Sequence, residues 1–129
     1  MAALVLLFGA VHAAQGADRW FEPRHAAAGR PLFVQHCAAC HGQRGEGAPD
    51  WRRRLEDGSF PPPPLNGTGH AWHHPLAALY ATIATGQGRM PAWSSLLGRG
   101  EILAIIAWFQ SQWPDEIYAA WARMDRAER

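Results

Sequence analysis

Between residues 42 and 74 the chain carries Gly42, Gly45, Gly47 and Pro49, then Pro61 to Pro64, then Gly67 and Gly69. Proline removes a backbone donor and glycine weakens regular structure, so neither a continuous helix nor a central strand can run through this segment. A loop of that length inside a compact domain needs something besides its own side chains to pack against. Directly before it stands Cys37-Ala38-Ala39-Cys40-His41, which holds both cysteines of the chain. A long loop therefore begins where a group-binding motif ends.

C-x-x-C-H reads as a c-type haem attachment site. Two cysteines three apart on a helical turn can each form a thioether with a haem vinyl group, and the next residue, His41, is then directed at the iron from the same side. Three other readings stay open on the motif alone. A thioredoxin-like dithiol wants a βαβ context, and no alternating run in this chain resembles a strand. A structural zinc site needs two further ligands, and His70 and His73 lie too far along the chain for short finger spacing. The third is chance. Two cysteines so close together also leave no disulfide scaffold to support a small fold.

Residues 2–11 (AALVLLFGAV) form a short apolar run followed by small residues. This reads as a signal peptide over residues 1–16, with cleavage after Ala13 or Gly16. It departs from the usual pattern in having no Lys or Arg before the apolar run, and it is short for a membrane span. Export implies a periplasmic location in a Gram-negative bacterium and makes a reduced dithiol or a cytosolic zinc finger less natural. Residues 17–129 are then one domain, with a core of about 26–112 and an added tail over 113–129. The net charge of +1 offers no strong field for nucleic acid, and all twelve basic residues are Arg.

Hydrophobic spacing predicts an all-α chain. The first helix spans about Ala26 to His36, with Pro31 near its start, and Gly29, Leu32, Phe33 and His36 at helical spacing. A second opens at Pro75 as PLAALYATIAT and ends at Gly86. The third and strongest, Glu101 to Gln112, has Ile102, Ile105, Ile106 and Phe109 on a broad apolar face. Pro114 stops it, and Asp115 to Arg126 makes a short last helix with Ile117, Trp121 and Met124 inward.

Met90, followed by Pro91 on a loop between two of these helices, is the candidate sixth ligand. A thioether opposite an imidazole favours the reduced iron and raises the potential, as suits an electron carrier. The plainer reading is one more loop or core methionine. Met124 is better explained as core, and His25, His36, His70, His73 and His74 are rival ligands. The cluster His70-Ala71-Trp72-His73-His74 could hold a metal such as copper. Alternatively it is a loop leading into a helix, with His74 as N-cap and Trp72 covering the haem. Trp51 with Arg52-Arg53-Arg54 is a docking surface or a solvated turn.

Taken in order, these motifs resemble the class I cytochromes c from about Ala26 to Gln112. Gly29, Phe33 and C37-A-A-C-H41 look like that family's first helix and haem site. P63-P-L-N-G67 looks like its proline loop, G88-R-M-P-A-W93 like its methionine loop, and E101-ILAIIAWF like its last helix. Within the family the chain is similar to small single-haem proteobacterial cytochromes with a Pro-rich loop and a W-P-D-E-I-Y-A-A-W tail.

The resemblance implies three main helices with long haem-wrapping loops plus a short extra C-terminal helix. It implies one covalent haem c on Cys37 and Cys40, with His41 and Met90 as axial ligands. The Pro63 carbonyl would accept the Nδ1–H of His41, and Leu65 and Trp93 would help wall the haem from water. Gly29 and Phe33 would lie where the first and last helices cross, against Ile105, Trp108 and Phe109. The starting Gly98-Arg99-Gly100-Glu101 lacks a strong N-cap, but Glu101 at N3 suits the helix dipole. The expected function is a monomeric electron-transfer protein rather than an enzyme, passing single electrons between periplasmic or membrane-bound redox partners. The alternatives are a haem enzyme subunit or small-ligand sensor with a displaceable Met90, or a metal-binding module on His70, His73 and His74.

Overall fold

The structure, a computed structural model, describes residues 18–129. The segment read as a signal peptide lies outside the described residues. Among these residues the order is α1 (Pro23–His36), α2 (Ala38–His41), a 3-10 turn (Ala71–His73), α3 (Leu76–Thr85), α4 (Arg99–Ser111) and α5 (Asp115–Ala127). They contain no strand, only an isolated bridge between Gln87 and Met90.

Helix α1 starts three residues earlier than its apolar spacing predicts, because its start is set by local chemistry instead. Pro23 occupies the first turn, where its fixed φ fits and no donor is missed. The Glu22 N–H donates to His25 Nδ1 at 3.1 Å, closing the chain around the helix start. Pro31 therefore lies in the helix interior rather than near its start. There it cannot donate to the carbonyl four residues back.

Ala26, Gly29 and Phe33 form the buried face of α1, and that face crosses α4. A Cβ at Gly29 would stand 1.8 Å from the Ala104 carbonyl oxygen, so only glycine allows the two backbones this close. Below that crossing the Phe33 ring meets Trp108 at 4.4 Å between centroids. Helix α4 is buried continuously from Ile105 to Gln110, which makes it the central element, covered all round rather than along one stripe. It begins at Arg99, not Glu101, and its weak start is repaired by Glu101, whose carboxylate accepts the Gly98 N–H at 2.8 Å.

Helix α5 covers the expected span to within one residue, but it turns a different face inward. Its buried residues are Tyr118, Trp121 and Asp125, while Ile117 and Met124 are only half-buried. The inward stripe is rotated because two aromatic rings and one carboxylate have polar partners to reach. Tyr118 Oη accepts the Trp20 N–H at 2.9 Å, and Trp121 Nε1 donates to the His74 carbonyl at 2.8 Å. Asp125 Oδ1 accepts the N–H of Leu76, the first residue of α3, at 2.7 Å. The residue before α3 is Pro75, so His74 is not its N-cap. A carboxylate from the far end of the chain does that work.

The segment before α1 completes the same face. The Arg19 guanidinium lies over the Tyr118 ring at 4.0 Å. It donates to the carbonyls of Gln110 and Trp113 at 2.7 and 3.0 Å, and pairs with Asp115 at 3.0 Å. The Trp113 carbonyl just past α4 is thereby satisfied, and the Gln110 carbonyl, which already accepts the Trp113 N–H, gains a second donor.

Candidate functional site

His41 is where the local chain and the long loop meet. Helix α1 ends at His36, and α2 carries Ala38 to His41 as a single turn that Gly42 closes at φ +85°. The turn leaves Cys37 buried, Cys40 exposed and His41 buried. From the other side the loop folds back through backbone hydrogen bonds. Gly47 donates to His41 at 2.7 Å, Leu65 to Gly45 at 2.7 Å, and Ala48 to Pro62 at 2.9 Å. Gly47 adopts φ +69° with the place of a Cβ 2.4 Å from the Pro64 nitrogen, so the proline run lies directly on the glycine turn.

That fold-back brings the Pro63 carbonyl to 3.0 Å from His41 Nδ1. A carbonyl can only accept, so Nδ1 must carry the proton. Burial lowers the pKa of His41, outweighing the opposing effect of the Pro63 carbonyl, and favours the neutral ring. A neutral imidazole protonated at Nδ1 has its lone pair on Nε2. This is the form that ligates a metal, oriented by its partner on the other nitrogen.

Burial, aided by the neighbouring Cys40, pushes the Cys37 thiol up to about 11, so this sulfur rests as an un-ionised thiol. Buried sulfur, exposed sulfur and a neutral imidazole in five residues fit covalent haem well: two thioether-forming thiols and one nitrogen ligand.

Met90 is half-buried against the core, in a tight turn where Gln87 and Met90 exchange backbone hydrogen bonds at 3.1 and 2.9 Å. The segment after it is tied to the end of α3, Trp93 N–H to Ile83 and Ser94 N–H to Ala84 at 3.0 and 3.1 Å. The Trp93 ring lies 5.3 Å from that of His36, immediately before the cysteine motif. Methionine segment and motif are thus neighbours, although far apart in sequence. Leu65 is half-buried, and its carbonyl accepts the Trp113 Nε1–H at 2.8 Å.

The histidine cluster does not converge. His70 stacks on Trp51 at 5.3 Å and His73 on Trp72 at 3.8 Å, while His74 meets His70 edge-on at 5.8 Å. Among the described residues no group of three or more His, Cys, Asp or Glu is placed to hold a metal ion. In the arginine run, Arg52 lies over Trp51 and Arg54 over Phe60 at 4.7 and 4.5 Å, so both pack on their own loop.

Three polar contacts around the site escape sequence reading. Trp113 holds the carbonyl of Leu65, Asp125 holds the start of α3, and Arg89, next to Met90, pairs with Asp57 at 2.8 Å. Asp57-Gly58-Ser59 is a turn signature that marks Asp57 as a loop acceptor, but nothing in the sequence names its partner.

A family model described as cytochrome c oxidase, cbb3-type, subunit III matches residues 24–109. Among solved structures, cytochrome cL from the marine methylotrophic bacterium Methylophaga aminisulfidivorans MPT is similar, with a TM-score of 0.53 and 26% sequence identity. The match covers 71% of this chain and 55% of that one, so this chain spans little more than half the length of that relative.

Proposed function

The chain belongs to the cytochrome c family matched over residues 24–109, and from that premise we propose that it is a one-electron carrier with a single covalent haem c. Cys37 and Cys40 would hold the haem by thioethers, and His41 and Met90 would ligate its iron. The observation that carries this reading is the 3.0 Å contact of His41 Nδ1 with the Pro63 carbonyl, which leaves Nε2 as the donor. When bound, the haem supplies an iron that cycles between two oxidation states. The residues supply the rest. Pro63 fixes the imidazole, and Leu65 and Trp93 exclude water, which favours the less charged, reduced centre. With His41 and Met90 both held to the iron, the group would serve electron transfer rather than substrate binding. Cys40 is exposed while Cys37 is buried, so redox partners dock on the Cys40 side. The protein works in the periplasm, the typical place of bacterial c-type cytochromes. No helix among the described residues is long and apolar enough to cross a membrane.

The test is an optical spectrum of the native purified protein, oxidised and reduced, with acid–acetone extraction of a separate sample. Haem retained by the polypeptide, with a weak near-infrared sulfur-to-iron band that vanishes in Met90→Ala, is the expected result. Retained haem without that band, together with ready carbon monoxide uptake, would move the assignment to an enzyme or ligand sensor. Extraction of all haem would overturn the proposal.

A further inference from the structure

The turn carrying Met90 is closed on itself by the Gln87–Met90 backbone pair, with Gly88 at φ +57°. Among the described residues, one side-chain hydrogen bond leaves this turn: Arg89 to Asp57, with Nε and Nη2 both 2.8 Å from Oδ2. Asp57 is oriented independently of Arg89. Its Oδ1 accepts the N–H and the hydroxyl of Ser59 at 2.9 and 2.5 Å. Its loop is closed by Leu55 N–H to Ser59 and Gly58 N–H to Leu55, at 2.8 and 3.0 Å, and by Arg54 to Gly58 at 2.6 Å. The two loops touch at Gly88, where a Cβ would lie 3.8 Å from that of Ser59. A carboxylate preset on the long loop thus meets a guanidinium one residue from the methionine. The two Ser59 bonds and Arg89 hold the Asp57 carboxyl down at about 2, so the pair stays charged at working pH.

We propose that Asp57 and Arg89 are positioning residues for Met90, a latch that keeps its sulfur in the ligating place and so sets how easily an external ligand displaces it. This rests on the assignment of Met90 as distal ligand. Both partners are solvent-accessible, so the latch is modest and salt-sensitive: losing it favours the displaced state about two- to fivefold.

The experiment is an imidazole titration of the oxidised holoprotein, followed through the sulfur-to-iron band, for wild type, Asp57→Asn, Arg89→Gln and the double variant. Asp57→Asn keeps an amide oxygen for Ser59 but turns an NH2 donor toward Arg89, so it removes both the charge and the acceptor of the pair. Each single variant should bind imidazole about two- to fivefold more tightly, with no further gain in the double variant. High salt should bring wild type toward the variants. The near-infrared band should persist in every variant before imidazole is added, which separates positioning from loss of fold. Unchanged imidazole affinity in both single variants, or fully additive effects in the double, would overturn the latch while leaving Met90 as ligand. A wild type with no such band would overturn the Met90 assignment and the latch with it.

Discussion

At the crossing of α1 and α4, two helices meet with only hydrogen atoms between their backbones, and Phe33 is buried completely beside Trp108. The loop from residue 42 to 74 is built otherwise. It buries few side chains of its own, and its shape comes from backbone hydrogen bonds, left-handed glycines and distant indole N–H groups. The crossing is complete as protein. The loop folds around a histidine whose free nitrogen faces away from its protein partner. The difference teaches where each region draws its stability: close packing in one, polar ties in the other.

The sharpest test of the crossing is Gly29→Ala. A methyl placed 1.8 Å from a backbone oxygen forces the helices apart, and a loss of about 3 kcal/mol or more is expected in denaturant unfolding of the holoprotein. A smaller loss would mean that the crossing is not close-packed. Gly47→Ala tests whether the loop has a comparable point of contact. It combines a left-handed φ with a 2.4 Å approach to Pro64, so about 2 kcal/mol should be lost, along with a change in the haem spectrum that Gly29→Ala does not share. If only stability changes, the loop is not coupled to the haem through Pro63.

Trp113→Phe keeps a ring but removes the N–H that holds the Leu65 carbonyl. We expect about 1 kcal/mol, with faster amide exchange confined to the residues around 63–67. Uniform loosening of α1 and α4 would break the distinction between the two regions. Asp125→Asn keeps an oxygen for Leu76 and loses the charge at the start of α3. About 0.5–1 kcal/mol is the expected cost, read as a lower thermal midpoint with the spectrum unaltered. Glu101→Gln, at the start of α4, should cost a few tenths of a kcal/mol by the same measurement, since this site is exposed.

The helices of the crossing were legible in advance because their signals are local, Gly29 and Phe33 at helical spacing and an apolar run on α4; that they meet at Gly29 came only through family resemblance. Also legible were the cysteine motif and the Pro63 contact with His41, the latter through family resemblance. The start of α1 was missed because Glu22, Pro23 and His25 act through capping, which apolar periodicity does not register. The inward face of α5 was misjudged for a related reason. Counting apolar residues favours Ile117 and Met124, whereas Tyr118 and Asp125 are buried because Trp20 and Leu76 give them hydrogen-bond partners. The histidine cluster read either as a metal site or as a loop leading into a helix; in the structure His70 and His73 stack on Trp51 and Trp72, and His74 meets His70 edge-on.

By itself, the sequence determined the helices, the break between residues 42 and 74, and the side-chain types set together at Cys37, Cys40 and His41. Those follow from backbone preference and side-chain type over a few neighbouring residues. Only the tertiary structure decided which distant groups complete them: Arg19 at the end of α4, Asp125 at the start of α3, Trp113 on the proline loop and Asp57 on Arg89. Each joins an unsatisfied or charged group to a partner far along the chain. Such pairing depends on where the packed helices set the loops down, and no local pattern encodes it.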